Sequence, residues 1–263
     1  MSISIEPVTG KYLNMPLFGK RHRIYFEEAG QGIPLLCLHT AGSDGRQYRA
    51  LLNDPRLTRK FRVIVFDMPW HGKSSPPEGW QDADYKLSSD DYIDMIVSIS
   101  AALELDHPIA MGCSIGGRAV LHLAARYPER FRALIGLQSS AHVEPYYDTS
   151  WLDRPDVHAG LASASIVSGL MCPTSAPRDR WETLWHYTQG GLGVFKGDIF
   201  FYTVDGDLRT VLSTIDTDRC PLYLLTGEYD YSCSPADTAE VASHVRGAKV
   251  TVMERLGHFP MSE

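Results

Sequence analysis

Apolar residues along this chain follow two rhythms. Short, mostly apolar runs recur at residues 33–38, 61–66, 108–111, 133–137, 221–225 and 249–253, each bounded by Gly, Pro, Asp or Ser. Runs of that length with such borders predict buried β-strands. Between several of them the spacing becomes helical. Tyr92, Ile96, Ile99 and Leu103 follow one another at steps of four, three and four, which is one face of an α-helix. Ser88, with Asp91 three positions on, supplies a start signal for it. A second helix is predicted from about 115 to 127, stopped by Pro128, and a third over about 236–245. Strand–helix alternation of this kind predicts an α/β architecture, a mostly parallel sheet with helices on both faces.

One stretch breaks the alternation. From residue 140 to about 217 no regular rhythm of strands and helices runs, and aromatic residues concentrate: Tyr146, Tyr147, Trp151, Trp181, Trp185, Tyr187, Phe195, Phe200, Phe201 and Tyr202. Trp181, Leu184 and Trp185 share one face of a short helix. We read the stretch as an insertion over one end of the sheet. The chain then divides into a core, residues 1–139 and 218–263, and an insertion, residues 140–217. For most of these aromatics taken singly, ordinary core packing is the competing explanation.

Composition narrows the class. The 263 residues are 44% hydrophobic and 22% charged, as in an ordinary globular chain large enough to bury its own core. A net charge of -7 speaks against nucleic-acid binding, which calls for a basic surface. No apolar run is long enough to span a membrane, and the N-terminal residues lack the basic-then-apolar pattern of a secretory signal. Cys37, Cys113, Cys172, Cys220 and Cys233 are odd in number and scattered. That predicts reduced thiols and a cytoplasmic setting.

The candidate chemistry lies where predicted strands end. Gly112-Cys113-Ser114-Ile115-Gly116 is a G-x-S-x-G sequence with a strand running into it and a helix running out. That context turns a weak pattern into a candidate nucleophile elbow, because a serine at such a turn is exposed beside helix N–H groups that can hold an oxyanion. A serine hydroxyl needs a base. Of the ten histidines, His258 follows the last predicted strand, in Gly257-His258-Phe259-Pro260, and is the candidate. The acid should stand between serine and histidine in the chain. Glu228 and Asp230 both follow the fifth strand, and Asp230 is preferred for its reach along the loop. Residues 138–140, after the fourth strand, are Gln-Ser-Ser and offer no carboxylate. The histidines show no metal-ligand spacing, so neither metal nor cofactor is expected.

Taken together, Leu38-His39-Thr40-Ala41-Gly42, the stretch Asp67-Met68-Pro69-Trp70-His71-Gly72-Lys73-Ser74, the elbow, Gly227 to Asp230 and Gly257 to Pro260 extend over nearly the whole chain. In this order they resemble the capped α/β-hydrolase superfamily, with its esterases and meta-cleavage hydrolases. The resemblance implies the α/β-hydrolase fold, residues 140–217 as a helical cap, and an oxyanion hole made by the backbone N–H groups of Ala41 and Ile115. Thr40 and Trp70 stand where many members have glycine. Trp181, Trp185, Trp70 and Arg46 are candidates to contact substrate, and Arg118 is a further one for a carboxylate, against the plainer reading of each arginine as solvated or structural.

The expected function is hydrolysis of a small carboxylic ester or thioester, with an apolar part, through an acyl-enzyme on Ser114, His258 and Asp230. Carbon–carbon bond hydrolysis of the meta-cleavage type is the alternative with the same residues. A non-catalytic receptor for a small ligand is the alternative of a different class.

Overall fold

A computed structural model describes every residue except 1, 2, 4, 146, 147, 153 and 155, so Tyr146 and Tyr147 lie outside the described residues. The six predicted strands are present as β3 (Ile33–Leu38), β4 (Phe61–Phe66), β5 (Ile109–Cys113), β6 (Ala133–Leu137), β7 (Leu222–Gly227) and β8 (Lys249–Met253). Two more precede them, β1 (Thr9–Leu17) and β2 (Lys20–Gly30). All join one 8-stranded sheet in the order β1-β2-β4-β3-β5-β6-β7-β8. β1, β2 and β4 pair antiparallel and the remaining pairs are parallel. Central strands are continuous apolar runs because both faces are covered: Val63, Ile64, Val65 and Phe66 are all buried. β8 departs from the expectation of a buried strand. It is the sheet's edge, and its Val250 and Val252 are exposed.

The helices are α1 (Arg49–Leu52), α2 (Pro55–Thr58), α3 (Ser89–Ala102), α4 (Ile115–Arg126), α5 (Ala159–Ser168), α6 (Pro177–Tyr187), α7 (Val194–Phe200) and α8 (Pro235–His244). α3 starts where the sequence predicts, with the Ser88 side chain accepting from the Asp91 N–H. α4 packs on β5 and β6 and is buried from Ile115 through Ala124. Strand order reverses at β3, which has β4 on one side and β5 on the other. Ligands of open α/β sheets bind at the carboxyl ends of strands at such a switch point.

Between β6 and β7 the chain forms α5, α6 and α7, the last continued by a π-helical turn over Phe201–Asp205. Its aromatic residues divide. Tyr187, Phe195, Phe201 and Tyr202 are buried, whereas Trp181 and Trp185 stand on the outer surface. Arg118 on α4 holds both ends of this stretch. Fully buried, it donates to the Ser140 backbone and hydroxyl oxygens and to the carbonyls of Tyr202 and Gly206. It is a structural arginine. Among the described residues no helix is long and apolar enough to cross a membrane.

Candidate active site

Ser114 sits between β5 and α4 with φ 60° and ψ −114°, a strained conformation for a non-glycine residue. Backbone bonds at both ends hold it there: its N–H donates to Leu137 O (3.0 Å), and its own carbonyl accepts from Arg118 N (2.8 Å). The close approach of the flanking glycines explains the motif, since a Cβ on Gly112 would lie 2.4 Å from the carbonyl carbon of Gly116.

His258 lies on the loop after β8. Its Nδ1 is 2.7 Å from Asp230 Oδ2. The other carboxylate oxygen of Asp230 accepts from the N–H groups of Ser232 (2.8 Å) and Cys233 (3.0 Å). With Nδ1–H donated to a carboxylate, Nε2 is left as the basic nitrogen of the ring. Ser114 and His258 line one cavity, together with Ala41, Tyr187, Tyr202 and Phe259 among others. It measures about 20 Å³, room for roughly one water molecule. Both residues are buried.

Side chains that sequence reasoning missed hold the loops in register. Gln138, at the end of β6, donates to Gly257 O (2.6 Å) and accepts from Thr226 Oγ1 (3.1 Å) and the Gly227 N–H (3.0 Å). The position that carries no carboxylate thus bridges the bases of the acid and histidine loops. Glu263 accepts from the N–H groups of Gly257, Phe259 and Cys172. The Cys113 thiol donates to His258 O (3.2 Å). Glu228 accepts from the Arg255 N–H (3.0 Å), and it is Asp230 that meets the histidine.

The loop after β3 completes the cavity wall. The N–H groups of Ala41 and Ile115 have no acceptor among the described residues. Thr40 donates both its N–H (3.1 Å) and its hydroxyl (3.0 Å) to Gln47 Oε1, and its hydroxyl also meets the Tyr187 hydroxyl. The threonine that replaces glycine is therefore bonded to a core side chain and to α6.

The four substrate-contact candidates are not brought to this cavity. Trp181 and Trp185 are 71% and 60% exposed; the face of α6 that turns inward carries Thr183, His186 and Tyr187 instead. Arg46 pairs with Asp44 and donates to Gln189 Oε1 (2.6 Å), at a separate surface pocket. Trp70 packs against Tyr85 and edge-on to Trp80 and lines a groove of about 630 Å³ that shares Ile199 with the lining of the serine cavity. Nothing in the sequence separates Tyr187 and Phe195 from Trp181 and Trp185.

A serine on a strand–helix turn and a carboxylate-held histidine facing one cavity, at the carboxyl edge of this sheet, mark the class as the α/β-fold hydrolases. The family model of the α/β hydrolase fold matches residues 33–157. A 2-(acetamidomethylene)succinate hydrolase of Mesorhizobium japonicum is 26% identical over 244 residues, 88% of this chain and 84% of that protein. A 2-hydroxymuconate semialdehyde hydrolase of Pseudomonas sp. strain CF600 is 35% identical over 124 residues, 46% of this chain and 41% of that protein. The crystal structure of an enol-lactonase from Burkholderia xenovorans superposes with a TM-score of 0.80 at 17% identity, over 94% of this chain and 93% of that one. This chain has the α/β-hydrolase fold.

Proposed function

We propose that the protein hydrolyses a small carboxylic ester or thioester through an acyl-enzyme on Ser114. What supports this most is one observation: Ser114 shares its cavity with a histidine whose Nδ1 is bonded at 2.7 Å to Asp230. In this reading His258 Nε2 takes the proton as Ser114 Oγ attacks the carbonyl. Asp230 holds the ring and stabilises the imidazolium. The N–H groups of Ala41 and Ile115 receive the oxyanion. The protonated ring then passes its proton to the leaving alkoxide or thiolate. Water, deprotonated by His258, attacks the acyl group and restores Ser114.

Residues 140–217 act as the cap. Ile166, Val167, Leu170, Phe195 and Ile199 line the cavity from that side, which suits a substrate with an apolar part. A cavity of about 20 Å³ holds no ester, so α5 to α7 must part for substrate to enter, and the groove beyond Ile199 is the route. The five cysteines are buried and unpaired, in keeping with a cytoplasmic enzyme. Carbon–carbon hydrolysis of a dienone is the second reading, favoured by the 35% identity to the 2-hydroxymuconate semialdehyde hydrolase.

The test is labelling with a fluorophosphonate. Ser114 is expected to form the adduct, in a peptide containing residues 112–116. Ser114→Ala is expected to abolish labelling and to lower kcat by about 10⁴-fold or more while the protein stays folded. Adduct at another serine, or full activity in Ser114→Ala, overturns the reading. A panel of short esters, acyl thioesters and a ring-fission dienone then separates the two substrate classes.

A further inference from the structure

A second buried carboxylate meets the oxyanion loop at Gly42. Asp198 on α7 is fully buried and accepts three hydrogen bonds. Oδ2 takes the Gly42 N–H (2.7 Å) and His71 Nε2–H (2.8 Å), and Oδ1 takes the Tyr85 hydroxyl (2.7 Å). Three polar partners converge on this one side chain. The charge opposite it is His71. Its Nδ1 lies 2.9 Å from Pro69 O, so both ring nitrogens face oxygen acceptors and both carry protons. Burial opposes the charged ring, and Asp198 outweighs it, raising the His71 pKa above the ordinary histidine value. The adjacent ring of His39, 4.9 Å away, is the neutral one. Its Nε2 accepts from the Met68 N–H (3.2 Å), its Nδ1–H donates to Thr40 O (2.9 Å), and burial beside His71 lowers its pKa to about 4.

We propose that Asp198 is a positioning residue for the oxyanion hole. The inference rests on Ser114 as the nucleophile and Ala41 N–H as a donor. The Ala41 N–H belongs to the peptide between Thr40 and Ala41, and it has no acceptor of its own to orient it. The carbonyl of that peptide, Thr40 O, accepts from His39 Nδ1–H (2.9 Å) and from the Ser43 N–H (3.4 Å), and the neighbouring peptides fix it further. On one side the Thr40 N–H is tied to Gln47 of the core. On the other, the Gly42 N–H is tied to Asp198 of the cap. With both neighbours anchored, the rotation of the middle peptide is set, and its N–H is preorganised toward the cavity instead of paying that reorganisation during reaction. Tyr85 and His71 hold Asp198 in turn. Core groups and the Asp198 carboxylate on α7 therefore share the anchorage of the oxyanion loop.

The experiment compares Asp198→Asn, Tyr85→Phe and Ser114→Ala with the wild type, using p-nitrophenyl acetate turnover, fluorophosphonate labelling and thermal melting. An asparagine has one acceptor oxygen and cannot serve all three donors. In Asp198→Asn, kcat and the labelling rate are expected to fall together by roughly 10²-fold, near the cost of an oxyanion donor, with KM within about threefold of wild type. Tyr85→Phe removes one of the three bonds and is expected to lower kcat by about three- to tenfold at unchanged KM. A folded Asp198→Asn variant with wild-type kcat and labelling overturns the proposal, as does one in which only KM rises. Should Asp198→Asn not fold, Tyr85→Phe decides, and unchanged kcat there overturns it. If Ser114→Ala keeps its activity, the nucleophile assignment fails. If Ser114→Ala is inactive while the other two variants match wild type, only the role of Asp198 fails.

Discussion

Among the described residues there are two buried aspartate–histidine pairs, and they are built for opposite ends. His258 meets Asp230 through Nδ1 at 2.7 Å, and its ring lines the cavity with Ser114. His71 meets Asp198 through Nε2 at 2.8 Å and spends its other nitrogen on Pro69 O. The short contact and the burial are alike. What differs is the second nitrogen. A ring with one nitrogen uncommitted can take and return a proton, while a ring with both nitrogens engaged has none free to offer a substrate. An Asp–His contact alone therefore identifies neither a base nor a strut; the fate of the other ring nitrogen does.

Breaking the first pair should have the largest effect on rate. Asp230→Asn keeps the shape but favours the wrong imidazole tautomer, so kcat is expected to fall by about three to four orders of magnitude. Glu228→Gln, two residues away, alters only the carboxylate that caps the Arg255 N–H and should cost far less than tenfold. Both are measured on one ester at pH 7 to 8; the reverse ranking would exchange the two assignments.

Breaking the second pair should appear first in stability. Removing His71 strands the Asp198 charge in the interior, and His71→Ala is expected to destabilise by about 3–5 kcal/mol. Adding Asp198→Asn should recover part of the loss, because the uncompensated charge is then gone. Denaturant titration of the single and double variants tests this, and strict additivity would argue against a buried ion pair.

Acidity should separate the histidines by sign. His39 and His122 are both lowered to about 4, chiefly by burial. The stability they contribute is present above pH 6.5 and is lost as pH falls toward 4, on the order of 3 kcal/mol for each. His71 is raised, so its contribution is present below pH 6.5 and is lost as pH rises through its folded value. Urea melts at pH 5, 7 and 9 should therefore show losses on both sides. In His122→Gln the acid-side loss should shrink while the alkaline side stays as it was.

The smallest effects belong to α6. Trp181→Ala and Trp185→Ala, on its outer face, should change stability by less than about 0.5 kcal/mol and kcat/KM by less than twofold. A marked shift in substrate preference in either variant would mean that the outward face of α6 meets the substrate.

What could be read from the chain follows from how local each signal is. β3 to β7 were legible as short bounded runs, because strands covered on both faces are apolar throughout. β2 was not. Only His22, Ile24 and Phe26 and one end residue, Ala29, turn inward, and Lys20, Arg21 and Arg23 between and before them make the segment read as polar. Ser114 was legible because its turn needs glycines two residues away on either side, and His258 because it follows the last strand. The shared helical face of Trp181 and Trp185 did not show which way it points: both stand on the outer surface, and α6 turns Thr183, His186 and Tyr187 inward. Asp198 gave no sign at all: it is 127 residues from His71 and 156 from Gly42, and no pattern in the chain connects positions that far apart.

The Asp198 bond to Gly42 also bears on modularity. Caps of this kind invite exchange between proteins as if each were a detachable specificity cartridge. Here α7 reaches to the loop after β3 and fastens it through Gly42, and α6 touches the same loop through Tyr187 and Thr40. A grafted cap without a carboxylate at that point would bring its own selectivity and leave the recipient core with a slack loop. A chimera built on this scaffold should carry Asp198 with its core partners His71 and Tyr85 as one inherited unit.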